Sequence, residues 1–267
     1  MACFGEIAAK ASAMMLPMPS DFAIRLAGGL AAMLLITSRQ AVPPAFFRTI
    51  GLVMMGLLVS AALAAAGNAP RAVLGVLIGV SFMAYLGSAF WGVGLPRLAV
   101  PATALIAAAA AGLLVWSSFD IASTRSPAMS GFNAASRLSS AALMGSTLAA
   151  MLLGHHYLTA SAMSIEPLKR YVLAMAPALA ARVVLAGVGL LLLVRSSPSV
   201  EAASPMFLAM RWGMGVLGPA VATLLTWQTV KIRSTQSATG ILYIGMTLVL
   251  FGELAGLILG RSAGVEL

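Results

Sequence analysis

"YVLAMAPALAARVVLAGVGLLLLV", residues 171–194, carries a single charged side chain, Arg182. As an α-helix this run is about 36 Å long, enough to cross the ~30 Å hydrocarbon core of a bilayer. A strand in lipid would alternate apolar and polar residues, and no alternation is present. Only helices and closed barrels satisfy their backbone hydrogen bonds in hydrocarbon, so the run reads as a transmembrane helix.

Similar runs recur on both sides of it. Pro, Gly, Asn and charged breaks mark spans at 22–37, 50–66, 72–93, 101–117, 134–153, 171–194, 206–230 and 237–260. The expected fold is therefore all-α: a polytopic transmembrane helix bundle with about eight spans, forming one integral membrane domain over residues 1–267. The stretch "SSFDIASTRSPAMSGFN" (117–133) is expected to be the longest exposed loop. No internal repeat is evident, so the sequence gives no support to inverted-repeat symmetry.

Composition agrees. Hydrophobic residues make up 61% of the 267, only 9% are charged, and the mean hydropathy is +1.00. A soluble domain needs roughly a quarter of its residues charged. The net charge of +9 sits mostly at span ends. That placement points to anionic lipid headgroups as the partner, and not to nucleic acid. Cys3 is the only cysteine and excludes an intrachain disulfide. Glu6 and Lys10 interrupt the first twenty residues, so a cleaved leader is not expected. Short loops without a targeting segment suggest a bacterial inner membrane. Loops after odd-numbered spans hold Arg39, Arg48, Arg97, Lys169, Arg170, Lys231 and Arg233; the opposite side holds Lys10, Arg71, Arg125, Arg195 and Arg261 once Arg25, Arg137 and Arg211, inside helix ends, are left out. The balance leans towards both termini outside the cytoplasm.

Both histidines stand together in "GHHYL", at His155 and His156. Adjacent helical residues point about 100° apart, so one helix cannot offer both to one metal. No further histidine exists to complete a two-histidine haem, and no cysteine cluster or HExxH spacing suggests zinc. The pair is read as interfacial, with polar tips at the headgroup layer, and haem is not expected. "MSIEPLKRY" is read as a short interfacial segment leading into the next span.

"GMGVLG" matches GxGxxG through Gly213, Gly215 and Gly218, but no strand precedes it and no acidic residue follows at the right distance. Its glycines, like Gly75 and Gly79 or Gly252, Gly256 and Gly260, are read as ridges where helices approach closely, with Pro219 kinking the helix. "WQTVKIRSTQSATGIL" resembles the PQ-loop of certain small-molecule transporters, with Gln228 followed by basic residues and "SATGIL" from Ser237. It departs from that pattern at Trp227, where the family has proline, and has no second copy. No catalytic signature appears, so the chain is not expected to be an enzyme by itself.

The ionisable residues inside the spans are the most informative positions. Each costs roughly 2.5–3.5 kcal/mol at a helix centre, so it faces protein or water and not lipid. Arg182 lies near the middle of the sixth span. Arg211 and Glu253 fall at matching depths in the seventh and eighth and could pair. Arg25 and Arg137 sit near the same boundary. The expected constellation is Arg25, Arg137 and Arg211 around a single carboxylate, Glu253, with Arg182 reaching it by snorkelling. Excess guanidinium in a partly dehydrated pocket suits an anionic or carbonyl-bearing ligand: a quinone head, a lipid phosphate or an organic anion. A second reading stands beside it, in which the arginines reach headgroups and the Arg–Glu pair only fixes packing. Two functions follow: a membrane subunit of a larger, quinone-interacting complex with other membrane or peripheral subunits, or a transporter of a small anionic or lipid-like solute.

Overall fold

The structure is a computed structural model and describes residues 16–121, 127–159, 163–196, 205–263 and Glu266. It contains eight helices long and apolar enough to cross a membrane, and no strand among the described residues. They are α1 (Met18–Ile36), α2 (Pro44–Ala65), α3 (Arg71–Gly92), α4 (Pro96–Ile121), α5 (Pro127–Thr159), α6 (Glu166–Ser196), α7 (Pro205–Lys231) and α8 (Thr235–Ala263). The chain is a multi-pass membrane protein, as its sequence implies.

The helices begin earlier than the hydropathy breaks suggest, and proline is the reason. Pro19, Pro44, Pro96, Pro127, Pro167 and Pro205 each stand in the first two positions of a helix, and Pro70 caps α3. A helix's first N–H groups have no intrahelical partner, so a residue lacking one costs nothing there. What looks like a break is a helix opener. Two expectations change accordingly. The presumed loop 117–133 is helical as far as Ile121 and again from Pro127, and "EPLKRY" is already the first turns of α6.

Neighbour relations repeat along the chain. Helix α1 packs on α2, α2 on α3, α3 on α4, and α4 returns to α1; α5 packs on α6, α6 on α7, α7 on α8, and α8 returns to α5. Two rings of four helices result, joined where α5 meets α1 and α4. The order of neighbours thus repeats from the first four helices to the last four. α1 and α5 are the most enclosed helices, each 67% buried over its apolar stretch, whereas α6 is 28% buried. The core therefore lies along the α1–α5 seam, and outward faces carry apolar side chains such as Ile78, Phe82, Val184, Leu191 and Leu224.

Glycine closes that seam. A Cβ on Gly145 would stand 2.1 Å from the carbonyl carbon of Gly29, a distance no side chain can occupy. The same device joins α7 to α8, where a Cβ on Gly252 would lie 2.0 Å from Gly215 Cα. Gly75 and Gly79 behave differently from the expected packing ridge. They are exposed on α3, and a Cβ there would meet nothing within 4 Å. Pro219 cannot donate to the carbonyl four residues back, and α7 responds with a π-helical turn over Gly213–Leu217 rather than a plain kink.

Candidate functional site: a buried arginine and carboxylate cluster

One face of α5 organises the charged residues. Asn133, Ser136, Arg137 and Ser140 follow one another at helical spacing, so all four point the same way into the seam. All are buried, as are Asp21, Arg25, Arg182, Arg211, Glu253 and Glu266. Chain direction alternates from helix to helix. The start of α1, the start of α5, the start of α7 and the end of α8 consequently share one end of the bundle.

The deeper half of the cluster is built on Glu253. Its carboxylate accepts from Arg182 Nε at 2.9 and 3.1 Å, from Arg211 Nη1 at 2.9 Å and from Ser140 Oγ at 2.5 Å. Arg182 also donates through Nη1 to Ser136 Oγ at 2.5 Å. Arg211 lies about 9 Å along α7, and Glu253 about 15 Å before the end of α8. Both side chains are buried within the protein, so water does not screen them. Gly215 makes room for the pair, since a Cβ there would come within 2.5 Å of Arg211 Nη1.

The shallower half has a different composition from the one expected. Arg25 and Arg137 do not bond Glu253. Arg25 Nη2 pairs with Asp21 at 2.7 Å, one helical turn back, and with Glu266 at 3.1 Å. Arg137 Nε donates to Glu266 at 2.9 Å, and its Nη1 reaches Asp21 at 3.5 Å and Ser117 Oγ. The Glu266 backbone N–H donates to Asn133 Oδ1 at 3.3 Å. Burial alone would push the Glu266 carboxyl up; the guanidiniums of Arg25 and Arg137 overcome that and hold it at about 2.

The cluster thus has three carboxylates, where the sequence suggested one. Asp21 and Glu266 are the residues that reading missed, together with Ser117, Asn133, Ser136 and Ser140. A signal for some of them exists. "DFAIRL" (21–26) and "NAASRL" (133–138) share an Asp or Asn four residues before an Arg-Leu pair, on the leading helix of each ring. Two residues of the supposed loop are polar yet buried: Ser117 accepts from the Arg137 guanidinium and Asn133 from the Glu266 backbone.

Four guanidiniums and three carboxylates meet here in buried ion pairs. Several donors are left over. Arg25 Nε and Nη1, Arg211 Nε and Nη2, and Asn133 Nδ2 are buried with no hydrogen-bond partner among the described residues. A buried unpaired donor costs about 1–3 kcal/mol, more when charged. Chemically the arrangement is a set of preorganised N–H donors on guanidinium and amide groups, suited to oxygens that carry negative charge.

The other candidate positions lie elsewhere. His155 and His156 stand at the opposite end of α5, where His155 Nδ1 is 3.3 Å from the Tyr243 hydroxyl and the His156 ring rests 5.8 Å from Phe46. No group of three or more His, Cys, Asp or Glu side chains is placed to hold a metal ion among the described residues. Ser139, Ser146 and Thr147 bond backbone carbonyls of their own helix. The stretch from Trp227 forms an ordinary helical corner, with Lys231 Nζ 5.2 Å above the Trp227 ring. No family model, no curated protein and no solved structure matches this chain.

Proposed function

We propose that the chain is a carrier for a small anionic or lipid-like solute, with the arginine cluster as its binding site. The observation that carries this reading is the set of buried N–H donors on Arg25, Arg211 and Asn133 that have no hydrogen-bond partner among the described residues. Each such donor costs about 1–3 kcal/mol, more on a charged group. A bound anion would satisfy several of them together. The π-turn beside Arg211 and Pro177 within α6 supply backbone irregularities where helices can bend, as π-turns often do at functional sites.

The test is anion-dependent thermal stabilisation and flux with the purified protein in liposomes. Uptake of an organic anion that falls in Arg211→Gln and Glu253→Gln variants supports the carrier. Native mass spectrometry of protein extracted gently from its host membrane decides against it if the chain arrives with redox subunits or a bound quinone. The donors would then serve quinone carbonyls in a larger complex.

A further inference from the structure

The paired motifs on α1 and α5 differ in one respect that matters electrically. Asp21 stands four residues before Arg25, whereas Asn133 stands four residues before Arg137. The first ring therefore neutralises its arginine from within, and the second does not. Glu266 supplies the missing charge from outside the repeat: Oε1 accepts from Arg137 Nε at 2.9 Å and Arg25 Nη2 at 3.3 Å, and Oε2 from Arg25 Nη2 at 3.1 Å. It is held in place by one further bond, from its backbone N–H to Asn133 Oδ1. Even so the position is incompletely satisfied, because Arg25 Nε and Nη1 and Asn133 Nδ2 keep no partner among the described residues.

We infer that Glu266 is a built-in occupant of a carboxylate position framed by Arg25, Arg137 and Asn133, and that a small carboxylate is the solute that displaces it. This rests on the carrier reading and adds the solute class and a self-blocking state. A carboxylate fits because the frame already holds one, between the arginines that lead the two helix rings. Displacement is balanced in charge: one carboxylate leaves the two guanidiniums as another arrives. The incoming molecule, free of the chain, can also turn its oxygens towards the donors that Glu266 leaves unserved.

Glu266→Ala deletes the equivalent of one acetate, which makes acetate the probe. In the full-length chain in detergent, acetate should raise the unfolding midpoint of Glu266→Ala by at least about 5 °C, the shift expected from ligand at ~100 times its dissociation constant. Chloride or phosphate at matched ionic strength should not, and adding Arg137→Gln should abolish the response. A second measurement uses the unaltered protein, where acetate should speed hydrogen exchange at the Glu266 amide and chloride should leave it unchanged. Acetate acting no better than chloride in both measurements overturns the inference, as does rescue that survives Arg137→Gln. If wild type still takes up some other anion through Arg211 in that case, the carrier reading stands and only the Glu266 assignment fails. If no anion affects wild type or variant, both fail.

Discussion

Glu253→Gln is the most demanding test of the cluster, because one carboxylate serves two guanidiniums. In the folded protein Glu253 accepts from Arg182, Arg211 and Ser140, all at 3.1 Å or less, with 1% of its side chain exposed. The amide has nearly the same shape but no charge, and its NH₂ group points a donor at donors. Arg182 keeps its bond to Ser136, but Arg182 and Arg211 now face each other without a shared counter-charge. Removing one partner of a buried ion pair costs about 3–5 kcal/mol. A chain of this length loses roughly 2–4 °C of unfolding midpoint per kcal/mol, so a fall of about 6–20 °C is expected. The assay is thermal unfolding of purified protein in a mild detergent, followed by tryptophan fluorescence. Arg211→Met removes one guanidinium and leaves Glu253 paired with Arg182, so it should cost less. The double variant should be more stable than the two single losses predict by about 1–3 kcal/mol, the signature of a direct interaction. A midpoint within about 2 °C of wild type for Glu253→Gln would refute the claim that a dry ion pair holds these helices.

Other outcomes can be checked with the same preparation. Gly145→Ala should lower stability by about 1–3 kcal/mol or more, because its Cβ meets the Gly29 backbone at 2.1 Å, while Gly79→Ala on the open face of α3 should be neutral or stabilising by up to ~1 kcal/mol. Acid should act through Glu266. Its carboxyl is held at about 2, below the ordinary value of about 4.3, so the stability it contributes is complete above that ordinary value. That contribution is lost as pH falls through about 2, and unfolding midpoints of wild type and Glu266→Gln should converge over this range. Replacing His155 and His156 together by alanine should leave anion binding unchanged, since both stand at the far end of α5 from Arg137. A loss of binding there would move the site.

Much of the architecture was legible in the residues alone. Lipid admits few backbone solutions, so apolar runs such as 171–194 determine helices that cross the bilayer whatever they pack against. The same constraint made Arg182, Arg211 and Glu253 conspicuous, because charge at that depth needs a partner. What the sequence could not decide was which partner. Whether Arg25 meets Glu253 or Asp21 depends on the rotation of α1 against α5, which glycines 29 and 145 set through backbone contact. Hydropathy averages over a turn and cannot register that rotation. Helix ends were misjudged where proline opens a helix instead of closing one. Ser117 and Asn133, polar enough to pass for a loop, are inside because buried polar groups need partners: Ser117 accepts from Arg137, and Asn133 from the Glu266 backbone N–H. Sequence determined that the chain spans the membrane and carries charge within it. Only tertiary structure, by fixing which helix faces meet, decided that these charges form one cluster with donors to spare.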